Sequence, residues 1–327
     1  MRKIRNQIIS AVLISVLALG ITGCGFNREE ESIQMNAVFF DTAVGIKIFG
    51  MSDEEILDGC RNICADYEQM LSRTINTSQI ARINHAAGAP VTVSDETIEL
   101  IQRGIEFGEL TDGMFDITIA PLSDLWDIKN NPGVVPPQDQ IDEALEHVNY
   151  KNILVEGNTV TLTDPQAAID LGGIAKGYVA DRLKEYLLEN GVEHAIIDLG
   201  GNVLTVGNKP DGSDFRIGIQ KPFADRNEII TSIEVADRSV VSSGTYERYF
   251  EKDGRIYHHI LNPVTGYPFE NDLLQVTIIS DSSCTGDGLS TACFALGSDK
   301  GKELIESMEN VQALFVTDDY ELHQTGY

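Results

Sequence analysis

Apolar and polar positions alternate loosely from Ala37 to Phe49, with Val38, Phe39, Val44, Ile46 and Ile48 as the apolar set. A period near two predicts a strand or a hairpin. The spacing then widens toward that of a helix. Asp53 to Leu71 reads as one helix with Ser52 as N-cap, and Ser94 to Leu110 as a second, capped at Ser94 and ending near Thr111-Asp112-Gly113. Between them, Thr74 to Asn84 is a polar connection closing on a short element. Asn130 to Pro137 is a loop by its proline and glycine, and Ile141 to Val148 a short helix. The runs 152–155 and 159–162 form a hairpin about Glu156-Gly157-Asn158. Ile169 belongs to a further strand, and Ala175 to Glu189 to a helix stopped by Asn190-Gly191. Strands follow at 195–198, 215–220, 229–235, 239–242, 256–261 and 274–280. Helices at 288–296 and 300–308 then precede a last strand, 313–316. Runs of strands with interspersed helices predict an α+β fold of mostly antiparallel sheets with packed helices, not a doubly wound parallel sheet.

The first residues break this pattern. Arg2, Lys3 and Arg5 precede an apolar run, Ile8 to Leu19, that is short for a membrane span. Ile21-Thr22-Gly23-Cys24 follows, an aliphatic residue and two small positions before a cysteine. This resembles the lipobox of a bacterial lipoprotein. The expected division is a signal peptide over 1–23, an acidic tether over 24–34 and one folded domain over 35–327. Cys24 would carry the lipid that holds the protein to the extracytoplasmic face of the cell membrane.

A formal charge of −27 argues against nucleic acid as a partner and against direct docking on anionic lipid. An anionic ligand therefore needs local help from a metal, a lysine or backbone N–H groups. Cys60 and Cys64 lie one helical turn apart, a poor disulfide geometry. Cys284 and Cys293 read as small core residues, and no zinc spacing is present.

Chemistry concentrates first in Asp170-Leu-Gly-Gly-Ile-Ala-Lys-Gly177, just before a helix. Glycines admit close backbone approach, a helix N-terminus offers N–H groups, and Lys176 adds a mobile charge. The stretch reads as a phosphate or dinucleotide site, yet it is neither a Walker A loop nor GxGxxG. Four further stretches stand out. Thr111 to Asp116 is either a wall of a ring-binding slot or a helix end with an ordinary turn. Ser242 to Phe250 offers hydroxyls at a strand end beside aromatics. His258-His259 precede a turn bounded by Pro263 and Gly266, where a histidine can act as base or donor. In Asp287-Gly288-Leu289-Ser290-Thr291, a helix starting at Asp287 would place Asp287 and Thr291 on one face, oxygen ligands that suit Mg²⁺.

Taken in order, Thr-Asp-Gly-Met-Phe-Asp, Asp-Leu-Gly-Gly-Ile-Ala-Lys-Gly, His-His-Ile-Leu-Asn-Pro-Val-Thr-Gly and Asp-Gly-Leu-Ser-Thr resemble the bacterial ApbE family of FAD:protein FMN transferases, from about Met35 to the last strand. The resemblance implies an ApbE-like (T-fold-like) domain. It also implies Mg²⁺-dependent transfer of FMN from FAD to a threonine or serine hydroxyl of an exported or membrane acceptor protein, with release of AMP. Hydrolysis of FAD to FMN and AMP, or FAD carriage without turnover, are the alternatives. By the same resemblance, Met35, Met114, Phe115, Asp116, Asp170, Lys176 and Leu261 line the FAD site. Thr74 stands where the family often has a tyrosine and cannot stack on a ring. The implied metal ligands are the Gly173 carbonyl, Asp287 and Thr291, with Ser290 a weaker candidate. Asp287 or His259 would take the hydroxyl proton.

Overall fold

The computed structural model describes residues 31–225 and 227–326; the expected signal segment and Cys24 lie outside them. In chain order the elements are β1 (Ser32–Phe39), β2 (Thr42–Phe49), α1 (Glu55–Leu71), α2 (Gln79–Asn84), β3 (Val91–Thr92), α3 (Asp95–Leu110), α4 (Ala120–Trp126) and α5 (Gln138–Leu145). Next come β4 (Ile153–Glu156), β5 (Thr159–Leu162), α6 (Ala175–Glu189), β6 (Ala195–Leu199), β7 (Asn202–Val206), β8 (Phe215–Gln220), β9 (Ile229–Val235) and β10 (Ser239–Gly244). The chain ends with β11 (Tyr249–Lys252), β12 (Arg255–His258), β13 (Leu273–Ser280), α7 (Ser283–Glu306), β14 (Gln312–Thr317) and β15 (Leu322–Thr325).

Eight strands form one sheet in the order β1-β2-β6-β7-β10-β13-β14-β15, every neighbouring pair antiparallel. The α+β expectation is met. Period-two alternation sends successive side chains to opposite faces. Ile197, Leu204, Ile278, Ala313 and Phe315 join the cores beneath the helices. Ile196, Val203, Val240, Ile279 and Leu314 face the other way and are covered by the β8–β9 hairpin through Phe215, Ile217 and Ile219. Trp126, Phe250 and Leu261 anchor a smaller cluster around α4 and α5, where Trp126 Nε1 donates to the Gly266 carbonyl at 2.7 Å.

Several boundaries differ from the expectation. Ser32–Gln34, assigned to the tether, are the first residues of β1. Ser52 does not cap α1; Glu54 holds that position without a side-chain bond, and Asp53 accepts the Glu55 N–H instead. Ile169 is extended but outside any strand; its backbone is held on both sides by Asn84. α5 begins and ends before the expected Ile141–Val148, and β12 stops at His258 rather than 261. α4 and β7 were not anticipated. The helix expected from Gly288 starts at Ser283, capped by Ser282, so Asp287 stands in its second turn and not at its start. Gly297, at φ 79°, breaks α7 and accounts for the two helices read from the sequence.

The Leu199–Asn202 connection reverses the chain through Gly200 and Gly201, at φ 70° and 91°. A side chain at Gly200 would meet Thr42 Oγ1 at 2.0 Å, so the β6–β7 turn sits directly against the β1–β2 turn. All four cysteines in the described residues are buried free thiols; burial pushes the Cys60 and Cys64 thiols up to about 12, which leaves them inert.

Candidate active site

The starts of α6 and α7 meet over the helix-facing side of β7 and β10. They come this close because position 177 lacks a side chain: a Cβ there would lie 2.2 Å from the Ser283 carbonyl oxygen and 2.8 Å from Asp287 Cβ. The contact is reciprocal. Gly177 N–H, in the first turn of α6, donates to Asp287 Oδ2 at 2.9 Å. In return Asp181 of α6 accepts the Ser283 and Cys284 N–H groups of α7 at 2.7 and 2.9 Å, and the Ser282 hydroxyl at 2.8 Å. Each helix thus supplies a carboxylate for the unpaired N–H groups and positive dipole end of the other.

Asp287 is 2% exposed, and Lys176 Nζ stands 3.5 Å from its Oδ1. Burial raises the Asp287 pKa above the ordinary carboxylate value. The Lys176 charge, the Gly177 N–H and the neighbouring Asn202 amide pull it down without cancelling the desolvation. Asn202 lies near enough for that influence, although its Nδ2 completes no hydrogen bond of ordinary geometry.

One turn on from Asp287, Thr291 Oγ1 is 3.1 Å from Ser243 Oγ of β10. Ser290 is fully buried; its hydroxyl donates back to the Asp287 carbonyl at 2.9 Å and lies 2.7 Å from Ser243 Oγ. Its hydroxyl is therefore engaged within the helix–strand contact. Gly173 faces the same corner: a Cβ there would lie 3.1 Å from Phe115 Cε2 and 3.8 Å from Thr291 Oγ1. Phe115 in turn packs on Phe107 at 5.5 Å between ring centroids. The structure therefore brings Gly173, Lys176, Asp287, Ser290, Thr291 and Phe115 together from three distant stretches of chain.

Other expected residues fall differently. Met35 is 2% exposed and opposite Ile46 in the β1–β2 hairpin, its side chain in the core beneath the helices. Asp116 spends its carboxylate on the fold: Oδ1 accepts the Thr118 N–H and hydroxyl, Oδ2 the Tyr150 N–H. It edges a cleft of about 210 Å³ that joins Asp112-Gly113 to Pro263 and Val264, so two of the motifs do meet. Met114 is half-buried against the core that contains Phe115. The Leu261 side chain is buried in the Trp126 cluster. Thr74 is exposed, its hydroxyl 3.1 Å from Ser72 Oγ. Its neighbour Arg73, unanticipated, pairs with Asp170 Oδ2 at 3.0 Å and with Asp124. The other Asp170 oxygen accepts the Gly172 N–H at 2.8 Å, which shapes the glycine turn.

The two histidines separate cleanly. His258 is buried, with Nε2 donating to the Phe269 carbonyl at 2.9 Å and Nδ1 accepting the Ile260 N–H; burial drives its pKa down to about 4. It is a neutral structural residue. His259 is exposed by surface area, although the surroundings of its ring are crowded. That crowding lowers its pKa, as do the positive charges of Arg248 and Lys176 and the adjacent His258. Solvent at the exposed ring offsets part of the shift, so the direction is what counts: His259 is a neutral imidazole at neutral pH, within electrostatic reach of Lys176.

Hard oxygen donors at Asp287, Thr291 and Gly173 fit a hard cation. No cluster of three or more His, Cys, Asp or Glu exists among the described residues. The corner offers one carboxylate, and a cation there needs oxygens from a bound phosphate as well.

The sequence profile of the ApbE family matches residues 40–315. The chain belongs to the ApbE family. A relative from Klebsiella pneumoniae (strain 342), named FAD:protein FMN transferase, is 40% identical over 285 residues, 86% of this chain and 88% of its own. One of the same name from Vibrio cholerae is 30% identical over 323 residues, 96% of this chain and 95% of its own. Among solved structures, the ApbE protein of Thermotoga maritima superposes with a TM-score of 0.83 at 34% identity, covering 90% of this chain and 97% of that one. The flavin transferase ApbE of Vibrio cholerae gives 0.82 at 28% identity over the same shares.

Proposed function

We propose that the protein transfers the FMN part of FAD to a threonine or serine hydroxyl of an acceptor protein, with AMP as leaving group and Mg²⁺ as the required ion. One observation carries the reading. The half-buried Lys176, Gly173 and Thr291 and the buried Asp287 converge from two helix starts into a single oxygen-rich corner, in a chain whose relatives bear the name FAD:protein FMN transferase.

The acceptor oxygen attacks the phosphorus on the riboflavin side of the pyrophosphate. The bond from that phosphorus to the bridging oxygen breaks, AMP departs with the bridge electrons, and the hydroxyl proton passes to a base. Asp287, Thr291 and the Gly173 carbonyl would hold Mg²⁺, which would supply charge neutralisation on the phosphates. Lys176 adds a fixed positive charge at the same corner. Both Asp287 oxygens already face donors, Gly177 N–H and Lys176. That makes Asp287 a ligand rather than a proton acceptor and leaves the neutral, exposed His259 as the base. Cys24 is the proposed lipid attachment point, with an exported or membrane acceptor reached at the extracytoplasmic face. The basic start, the short apolar run and Ile21-Thr22-Gly23-Cys24 support this reading.

The test incubates the protein with FAD, Mg²⁺ and a candidate acceptor, then measures acceptor intact mass and AMP. One FMN adduct per AMP is expected. AMP and free FMN without adduct would replace transfer by hydrolysis, and intact FAD throughout would leave a carrier.

A further inference from the structure

One buried group is unexplained by the site as drawn. Asn202, the first residue of β7, is 1% exposed, and its Nδ2 has no hydrogen-bond partner. An unpaired buried amide is destabilising, so its retention needs a reason. Its other end is held firmly. Oδ1 accepts the Ser283 hydroxyl at 2.6 Å, and Ser283 Oγ accepts from Ser239 Oγ at 3.0 Å. The Ser283 backbone is in turn clamped by Asp181 at 2.7 Å. With Oδ1 committed, the amide has only Nδ2 left to offer, and Asp287 is the carboxylate that it influences.

Alternation along the strands supports this placement. Asn202 and Leu204 share the helix-facing side of β7, while Val203 faces the β8–β9 hairpin. On β10, Ser239 and Ser243 likewise reach residues of α7. Gly286 lets α7 press down here, since a Cβ would meet Ser280 Oγ at 2.9 Å and Val241 Cγ2 at 3.1 Å. The helix turn that carries Asp287 is thereby seated close against the strands.

We propose that Asn202, oriented by Ser283 and Asp181, is a positioning residue for Asp287. Its free N–H aims the carboxylate so that an oxygen remains turned toward the cation and pyrophosphate. The proposal rests on the reading of Asp287 as a metal ligand. Asn202 itself touches neither substrate nor ion.

The experiment measures three things for wild type, Asn202→Ala and Asp287→Asn. They are the Mg²⁺ concentration giving half-maximal AMP release, FAD affinity by flavin fluorescence with Mg²⁺ or with chelator, and Tm. Thr205→Val is the control, a buried polar loss on the same strand whose hydroxyl bonds only the Arg238 backbone. Asn202→Ala should raise the Mg²⁺ requirement by about tenfold or more, the usual effect of removing a group that orients a ligand. It should also weaken FAD binding only in the presence of Mg²⁺. Thr205→Val should lower Tm and leave the Mg²⁺ requirement unchanged. An unchanged Mg²⁺ requirement in Asn202→Ala, alongside an Asp287→Asn variant that has lost its Mg²⁺ response, overturns the positioning role alone. If Asp287→Asn keeps the Mg²⁺ response, the ligand reading falls first. Should Asn202→Ala not fold, Asn202→Ser serves with the same readouts and the same overturning result.

Discussion

Replacing Gly177 by alanine sets two effects of opposite sign against each other. Position 177 lies inside α6, where alanine is favoured over glycine by about 1 kcal/mol. Against that, the new methyl would sit 2.2 Å from the Ser283 carbonyl oxygen, 2.6 Å from its carbon and 2.8 Å from Asp287 Cβ. Ordinary contact begins near 3.4 Å, so α6 and α7 must separate by roughly 1 Å, and the obstacle is backbone that no rotamer change can clear. Overpacking of this kind costs about 1–3 kcal/mol, sometimes more, and a rigid carbonyl places it at the upper end. The net is about 2 kcal/mol destabilising, or roughly 4–8 °C in Tm at 2–4 °C per kcal/mol. The chemistry should suffer more than the fold. The Gly177–Asp287 bond lengthens with the separation, and a misplacement near 1 Å costs about 10²-fold in rate. Differential scanning calorimetry and AMP release report the two quantities on one sample. A variant with unchanged or raised Tm and full turnover would show that the helix starts do not meet as described, and the helix-contact account of the site would fall.

Other outcomes follow from the same geometry. Asp287→Asn keeps an acceptor for the Gly177 N–H and removes a buried charge; turnover should fall by at least ~100-fold while Tm stays level or rises, and a Tm several degrees lower would contradict the burial cost assigned to this carboxylate. Because the corner supplies one carboxylate, Mg²⁺ alone should leave Tm unmoved and should raise it only when FAD is also present; a shift from Mg²⁺ alone, by scanning fluorimetry, would reveal a preformed metal site. His258 is neutral in the fold down to about pH 4, whereas an unfolded histidine takes up its proton near pH 6.5. Its contribution to stability is therefore complete above pH 6.5 and lost as pH falls toward 4, by about 1.4 kcal/mol per pH unit at most. Urea melts at pH 7.5, 6 and 5 should show this slope in wild type and a shallower one in His258→Gln; equal slopes would refute it.

Much of this was legible from pattern, and the failures have physical causes. The helix start at Ser94 and the break at Gly297 follow from local capping and backbone rules, and the start at Ser282 obeys the same capping rule although it was not anticipated. α4 escaped notice because Pro121 reads as a breaker, though it stands in the first turn, where a missing N–H costs nothing. β7 was not anticipated because it follows β6 at once, across Gly200-Gly201, whose positive φ makes a hairpin turn. Asp287 and Thr291 share one face of α7 through their one-turn spacing, which survives an error in where the helix begins. Arg73, Asp181 and Asn202 matter only through partners far along the chain, so no local pattern marks them.

The junction between β7 and β10 is held by three register pairs, the narrowest in the eight-stranded sheet. Strands β1, β2, β6 and β7 lie on one side of it and β10, β13, β14 and β15 on the other, so the chain is laid down across the sheet almost in order. Gly173, Lys176 and Asn202 belong to the first half; Ser243, His259, Asp287 and Thr291 belong to the second. Activity is thus the joint property of two interlocking halves. A chain divided in the 207–214 connection would yield fragments that each carry an incomplete site, and their reassociation would be readable directly as the return of catalysis.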